Sequence, residues 1–237
     1  MGVTVTKDLH WGTHIQKCIG KANSMTGWVT RNLIRKDIQT MMTVYKTIVR
    51  PHLEFCVQLW NPAPKHGHWQ LIMDIENVQR KFTKRIQGIG LNPYRERLKK
   101  CQITTLIERR ARGDLIECFK IWKGIVDYGS NMINVSRSGY NLILRSCKGE
   151  MLHSAFPNRI INYWNKIPEF VKDAKTTERF KARLGEFKNR NISLEGHYWE
   201  LSEEYLNRVE SNQQNREGYV SYMTENPNVA RRRFINV

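Results

Sequence analysis

Apolar side chains recur every three or four residues along most of this 237-residue chain, a period that fits helices and almost nothing else. From Trp11 they fall at Ile15, Cys18, Ala22, Met25 and Val29, one stripe of a long amphipathic helix. Asp37 can cap a second helix whose stripe is Ile38, Met41, Tyr45, Ile48 and Val49. Pro51 should kink it, because proline removes a backbone donor and crowds the preceding turn. After the loop NPAPKHG at 61–67, a third helix gathers Leu71, Ile75, Val78, Phe82 and Ile86 on one side. Its opposite side carries Asn77, Arg80, Lys81 and Lys84, with Arg85 beside them.

Terminal signals divide the remainder. Asn92 and Pro93 open a short helix to about Lys100. Thr105 and Glu108 have capping-box spacing for a helix that reaches Trp122 and stops at Gly124. Ile107, Ala111, Leu115, Cys118 and Trp122 form its inward face and leave Arg109, Gly113 and Lys120 outside. Residues 126–150 read as loop with one hairpin around YNLIL. Helical pattern returns over 158–165, stops near Ile167-Pro168 and resumes over 177–190. The tail shows two short helices, 202–209 and 216–224, before three consecutive arginines at 231–233. The fold class is therefore mainly α: a helical bundle with a short β/loop insertion and a C-terminal helical extension.

With 40% hydrophobic residues the chain has the material for a core, which excludes disorder along its whole length. Its net charge of +17 is uneven. The first 190 residues carry all of the excess, and the last 47 hold five basic against seven acidic groups. A basic field of this size attracts nucleic acid, and it also suits a membrane surface or plain solubility. Five scattered cysteines without a C-x-x-C pair point to a reducing compartment, nuclear or cytoplasmic. No apolar run approaches the length of a membrane span.

Catalytic constellations are missing from the sequence. The six aspartates, Asp8, Asp37, Asp74, Asp114, Asp127 and Asp173, are neither adjacent nor one residue apart, whereas two-metal phosphoryl transfer needs clustered carboxylates. His66 and His68, with His52 or Cys56, lack the second spaced pair of a zinc site and read as ordinary loop histidines. His10 and His14 lack the glutamate of a metalloprotease helix, and GIG at 88–90 lacks the Lys-Ser/Thr of a phosphate loop. The expectation is a non-enzyme with no cofactor and no metal. What remains is the basic helical surface: Arg80, Lys81, Lys84 and Arg85 on the third helix, Arg109 and Lys120 on the fifth. Contacts from such residues to phosphate would set register without reading sequence. The competing reading is a solvated helix face.

Several stretches together resemble the C-terminal part of non-LTR retrotransposon reverse transcriptases of the jockey-like group. They are IVRPHLEFCVQLWNP at 48–62, IENVQRKFTKRI at 75–86, YRERLKKCQITTLIERRARGDLIECFKI at 94–121 and RIINYWNKIPEFVKDAKTTERFKARL at 159–184. The resemblance covers roughly residues 1–190. It implies that 1–10 follow the primer-grip hairpin, that 11–125 form a thumb-like helical bundle and that 126–190 are a connecting hairpin with C-terminal helices. Residues 191–237 form an acidic helical tail that the resemblance does not cover. It further implies that fingers, palm and the F/Y-x-D-D turn lie upstream of Met1, so that this truncated piece of an RNA-directed DNA polymerase would bind RNA/DNA primer-template duplex without extending it. A separately encoded palm is then an expected partner. At 154–157 the sequence SAFP departs from the family pattern, which unsettles the local helix start. The alternatives are a domesticated helical module that meets a protein partner through 191–237, and a retroelement relic with no function.

Overall fold

A computed structural model of the chain describes residues 2–8, 10–62, 68–128, 133–143, 155–191 and 197–225, the stretch 213–225 by its backbone alone. The apolar stripes become helices: α1 (Gly12–Asn32), α2 (Ile38–Val44), α3 (Pro51–Glu54), α4 (Val57–Trp60), α5 (Trp69–Thr83), α6 (Tyr94–Cys101) and α7 (Leu106–Trp122). A hairpin follows, β1 (Asn134–Val135) with β2 (Leu142–Ile143), antiparallel with Val135 opposite Leu142. Then come α8 (Phe156–Asn165), α9 (Glu169–Lys172), α10 (Thr177–Arg190) and α11 (Glu200–Glu225). The architecture is a mainly α helical bundle with one small hairpin, as the periodicity predicts.

Local chemistry sets most boundaries. Asp37 accepts a hydrogen bond from the Thr40 amide at 3.0 Å, Thr105 from Glu108 at 3.1 Å and Thr176 from Arg179 at 3.2 Å, so three helices start on side-chain caps. The Thr105 box is half of the expected one, because the Glu108 carboxylate turns to Lys188 Nζ at 2.5 Å instead of back to the cap. Gly124, at φ +69°, ends α7. The kink expected at Pro51 takes the form of one π-helical turn, Tyr45–Val49: the Arg50 amide reaches back five residues to the Tyr45 carbonyl at 2.8 Å. Pro51 then serves as the first residue of α3, where no donor is needed.

Three apolar clusters hold the helices. The first joins α1, α2, the π turn, α3, α4 and α5 around Ile15, Tyr45, Trp60 and Phe82. The second joins the later half of α7 to α8, α9 and α10 around Phe119, Trp164, Phe180 and Leu184, with Trp199 closing it. Phe119 and Phe180 stack with centroids 4.3 Å apart. In the third, Tyr205, Leu206 and Val209 of α11 cover Ile72, Tyr94, Leu98 and Ile107. α7 supplies Leu106 to the first cluster, Ile107 to the third and Leu115 to the second.

The tail departs from expectation. It forms one helix where the pattern suggests two short ones, since nothing between Val209 and Arg216 breaks the backbone bonds. The first part of that helix also packs into the body of the chain, and Glu203 and Glu210 hold Arg95 at 2.6 and 3.0 Å. Near 154–157 the helix starts at Phe156, behind Ala155. The arginine run at 231–233 lies outside the described residues, as do most of the loop at 61–67 and with it His66 of the zinc constellation.

Candidate nucleic-acid interface

Of the six basic residues singled out by the sequence, three stand clear at one end of the molecule. Lys81, Lys84 and Arg85 at the end of α5 are exposed and make no ion pair among the described residues. The loop that follows holds them there. Gly88 takes φ +80°, and Gly90 packs so tightly that a Cβ would lie 2.4 Å from the Lys84 carbonyl oxygen. The GIG stretch is thus a backbone requirement of this turn. Arg97, 1% exposed, locks it by donating to the Gly90 carbonyl at 3.2 Å and the Arg80 carbonyl at 3.3 Å.

The same end receives cations that the sequence pattern does not reveal. α1 and α5 run parallel: Gln16 of α1 reaches Asp74 of α5 at 3.3 Å, and past both C-termini the Gln87 amide donates to the Lys36 carbonyl at 2.8 Å. That bond brings the Arg35–Lys36 loop beside Lys84 and Arg85, about fifty residues away in sequence. Arg31, in the last turn of α1, belongs to the same end. Helix C-termini carry partial negative charge and favour cations, which accounts for some of this clustering. The cations outnumber two helix ends, and Asp37, occupied by its cap bond to Thr40, is the neighbouring acid.

Of the other three predicted residues, Arg80 is not exposed and Arg109 and Lys120 are ion-paired. Arg80 is half-buried on the side of α5 that α11 crosses, where Tyr205 donates to Asn77 at 3.4 Å. Arg109 donates to Glu54 at 2.5 Å, and the same carboxylate accepts Arg50 at 3.5 Å. Lys120 pairs with Glu117 at 3.0 Å. Arg109 and Lys120, expected on the outer side of α7, are thus each ion-paired to a carboxylate there. The helix lies among three clusters and has little free surface, so Glu108, Arg110, Asp114 and Glu117 are buried as well and its charges must find partners inside the fold. At Gly113 a Cβ would meet nothing within 4 Å.

α7 is also the axis of the buried polar structure. Asp114 and Arg159 form a bidentate pair, Nε to Oδ2 at 2.9 Å and Nη2 to Oδ1 at 3.0 Å, with side chains 2% and 7% exposed. Arg159 also donates to the Gln58 carbonyl at 2.7 Å, so the pair ties α4, α7 and α8 together. On α5, Glu76 is fully buried; Tyr94 donates to it at 2.6 Å and the Ile107 amide at 3.0 Å. Burial raises its pKa to about 7 against the pull of those two donors. Gln79 completes the network, accepting from Tyr45 at 2.7 Å and donating to the Thr104 carbonyl at 3.0 Å. Nothing in the sequence pattern separates these buried acids from exposed ones.

Among the described residues no group of three or more His, Cys, Asp or Glu side chains is placed to hold a metal ion. No helix among them is long and apolar enough to cross a membrane. Comparison with protein-family models, curated proteins and solved structures finds no match to this chain.

Proposed function

We propose that this chain is the thumb and downstream part of a non-LTR retrotransposon reverse transcriptase, and that it grips RNA/DNA primer-template duplex without polymerising. The cluster of Lys81, Lys84 and Arg85 with Arg31, Arg35 and Lys36 at one end of the bundle carries the reading. Cations on rigid helix ends suit phosphate contacts, which position a duplex irrespective of its sequence. The family comes from the sequence resemblance, and catalysis is left to a palm supplied by another polypeptide segment. Arg109 and Lys120 drop to minor roles, because each would have to leave a carboxylate to reach a phosphate.

The test is the salt dependence of affinity for an RNA–DNA duplex. Each phosphate neutralised contributes about −0.9 to the log–log slope on B-form duplex, so several of them give a steep line. Replacing Lys81, Lys84 and Arg85 together by Ala should flatten it, and an unchanged slope overturns the proposed face. Primer extension by the purified chain with Mg²⁺ and dNTPs would overturn the non-catalytic part.

A further inference from the structure

A second basic feature lies on another side of the bundle, between α3–α4, α7 and α10. It is a cleft of about 410 Å³ lined by Glu54, Arg109, Arg110, Arg112, Lys188 and Tyr198 among others. The size falls within the ordinary range for small-ligand sites. Two glycines also line it, Gly113 and Gly185, and a Cβ on either would meet nothing within 4 Å, so this part of the wall is open.

Two of the lining side chains are incomplete. Arg110 is 2% exposed; its Nε donates to the Leu106 carbonyl at 3.2 Å, and its Nη1 has no partner among the described residues. Tyr198 is likewise 2% exposed, and its hydroxyl has no partner among them. Buried donors are satisfied in the great majority of cases, so two orphans bordering one cleft call for a shared cause. Both groups can donate, and what is missing is an acceptor. Burial, reinforced by Glu108 and opposed by Arg112, raises the Tyr198 pKa, so the hydroxyl keeps its proton at neutral pH. Burial lowers Arg110 to about 10, which leaves it charged.

The charges around the cleft decide the sign of that acceptor. Four cations line it against two carboxylates, and both carboxylates are engaged: Glu54 by Arg50 and Arg109, Glu108 by Lys188 at 2.5 Å. Arg112 donates through Nη2 to the Lys181 carbonyl at 3.0 Å and is matched by no acid among the described residues. The Arg112 guanidinium without a carboxylate and an unpartnered hydroxyl, beside Arg110, whose charge Glu76, Asp114 and Glu54 offset in part, fit a multidentate oxyanion.

We propose that this cleft is a phosphate-binding site in which the guanidinium groups of Arg110 and Arg112 and the Tyr198 hydroxyl donate to the phosphate oxygens. The inference does not rest on the duplex-binding face at the end of α5, which lies on other residues. A phosphate here comes either from a free phosphorylated molecule or from a nucleic-acid backbone.

Calorimetric titration of the full chain with pyrophosphate at constant ionic strength tests the site. Saturable one-to-one binding is expected, weakened about tenfold by Arg112→Gln, the size associated with losing one charged hydrogen bond. Tyr198→Phe keeps the ring in its cluster, leaves the fold standing and should weaken binding several-fold. Lys175→Ala, at an exposed position outside both basic sites, should leave it unchanged. No saturable binding, or binding that neither Arg112→Gln nor Tyr198→Phe alters, overturns the proposal. A repeat titration in saturating RNA–DNA duplex identifies the source: competition assigns a backbone phosphate, and independent binding a free phosphorylated ligand. If the duplex fails to bind while pyrophosphate does, the duplex reading falls and the cleft stands.

Discussion

The end of α5 and the length of α7 carry similar numbers of basic residues, and the fold treats them in opposite ways. At the end of α5, Lys81, Lys84 and Arg85 are exposed. On α7, Arg109 and Lys120 are ion-paired and Arg110 is buried. The lesson is that charge becomes a surface only where packing leaves it one. A helix end open to water exports its cations, whereas a helix shared by three clusters along its length draws most of them into ion pairs or burial.

This contrast can be attacked from its strongest side first. Arg159→Ala leaves the Asp114 carboxylate buried without its bidentate partner, and removing one member of such a pair costs about 3–5 kcal/mol. Chemical denaturation should therefore show a large fall in midpoint; a change below about 1 kcal/mol would mean that α7 is less enclosed than it looks. The next effect is that of Glu76. Its folded pKa, about 7, lies above the ordinary 4.5, so the folded state holds a proton that the unfolded state has released. Stability should be highest below the unfolded value and decline as pH rises from about 4.5 through 7, by about 3 kcal/mol at 1.36 kcal/mol per pKa unit. Glu76→Gln should remove that decline, which unfolding curves across this pH range would reveal.

At the α5 end the expected effects leave stability alone. The triple Ala variant of Lys81, Lys84 and Arg85 should lower the magnitude of the salt slope by up to about 3, at about 0.9 for each phosphate no longer neutralised, with a denaturation midpoint close to that of the parent chain. The smallest effect belongs to Arg109→Ala. Its partner Glu54 keeps Arg50, and Arg109 is 45% exposed, so the change in stability should stay below about 1 kcal/mol with an unaltered salt slope. A slope change as large as that of the triple variant would place duplex on α7 and dissolve the distinction between the two helices.

Deleting 191–237 would be a poor probe of partner binding, for a reason that the sequence conceals. Tyr205, Leu206 and Val209 cover Ile72, Tyr94 and Leu98, so removing them exposes part of the body. Substituting Glu204, exposed on the outer side of α11, examines the acidic tail without touching that cluster.

What the sequence makes legible is local. The Asp37 and Thr105 caps, the Gly124 stop, the interruption at Pro51 and the YNLIL hairpin each depend on a few neighbouring residues, and all appear where the sequence places them. The exposed half of the candidate interface is legible for the same reason, since Lys81 and Lys84 lie opposite the apolar stripe of their own helix. Arg35 and Lys36 are not, because their approach to Arg85 depends on one backbone bond between loops about fifty residues apart.

The amino-acid order by itself determined the helices, their ends and a strongly basic body, because period, capping and net charge are properties of short segments or of the whole sum. Only the tertiary structure decided which charges face water. Burial belongs to the neighbours that fold onto a residue, and for Glu76, Arg110 and Asp114 those neighbours arrive from α6, α8 and the end of α4 as well as from α5 and α7 themselves. The meeting of Arg110 and Tyr198 at one cleft, 88 positions apart along the chain, is the same kind of fact: no segment encodes it, and packing α10 and the residues just before α11 against α7 creates it.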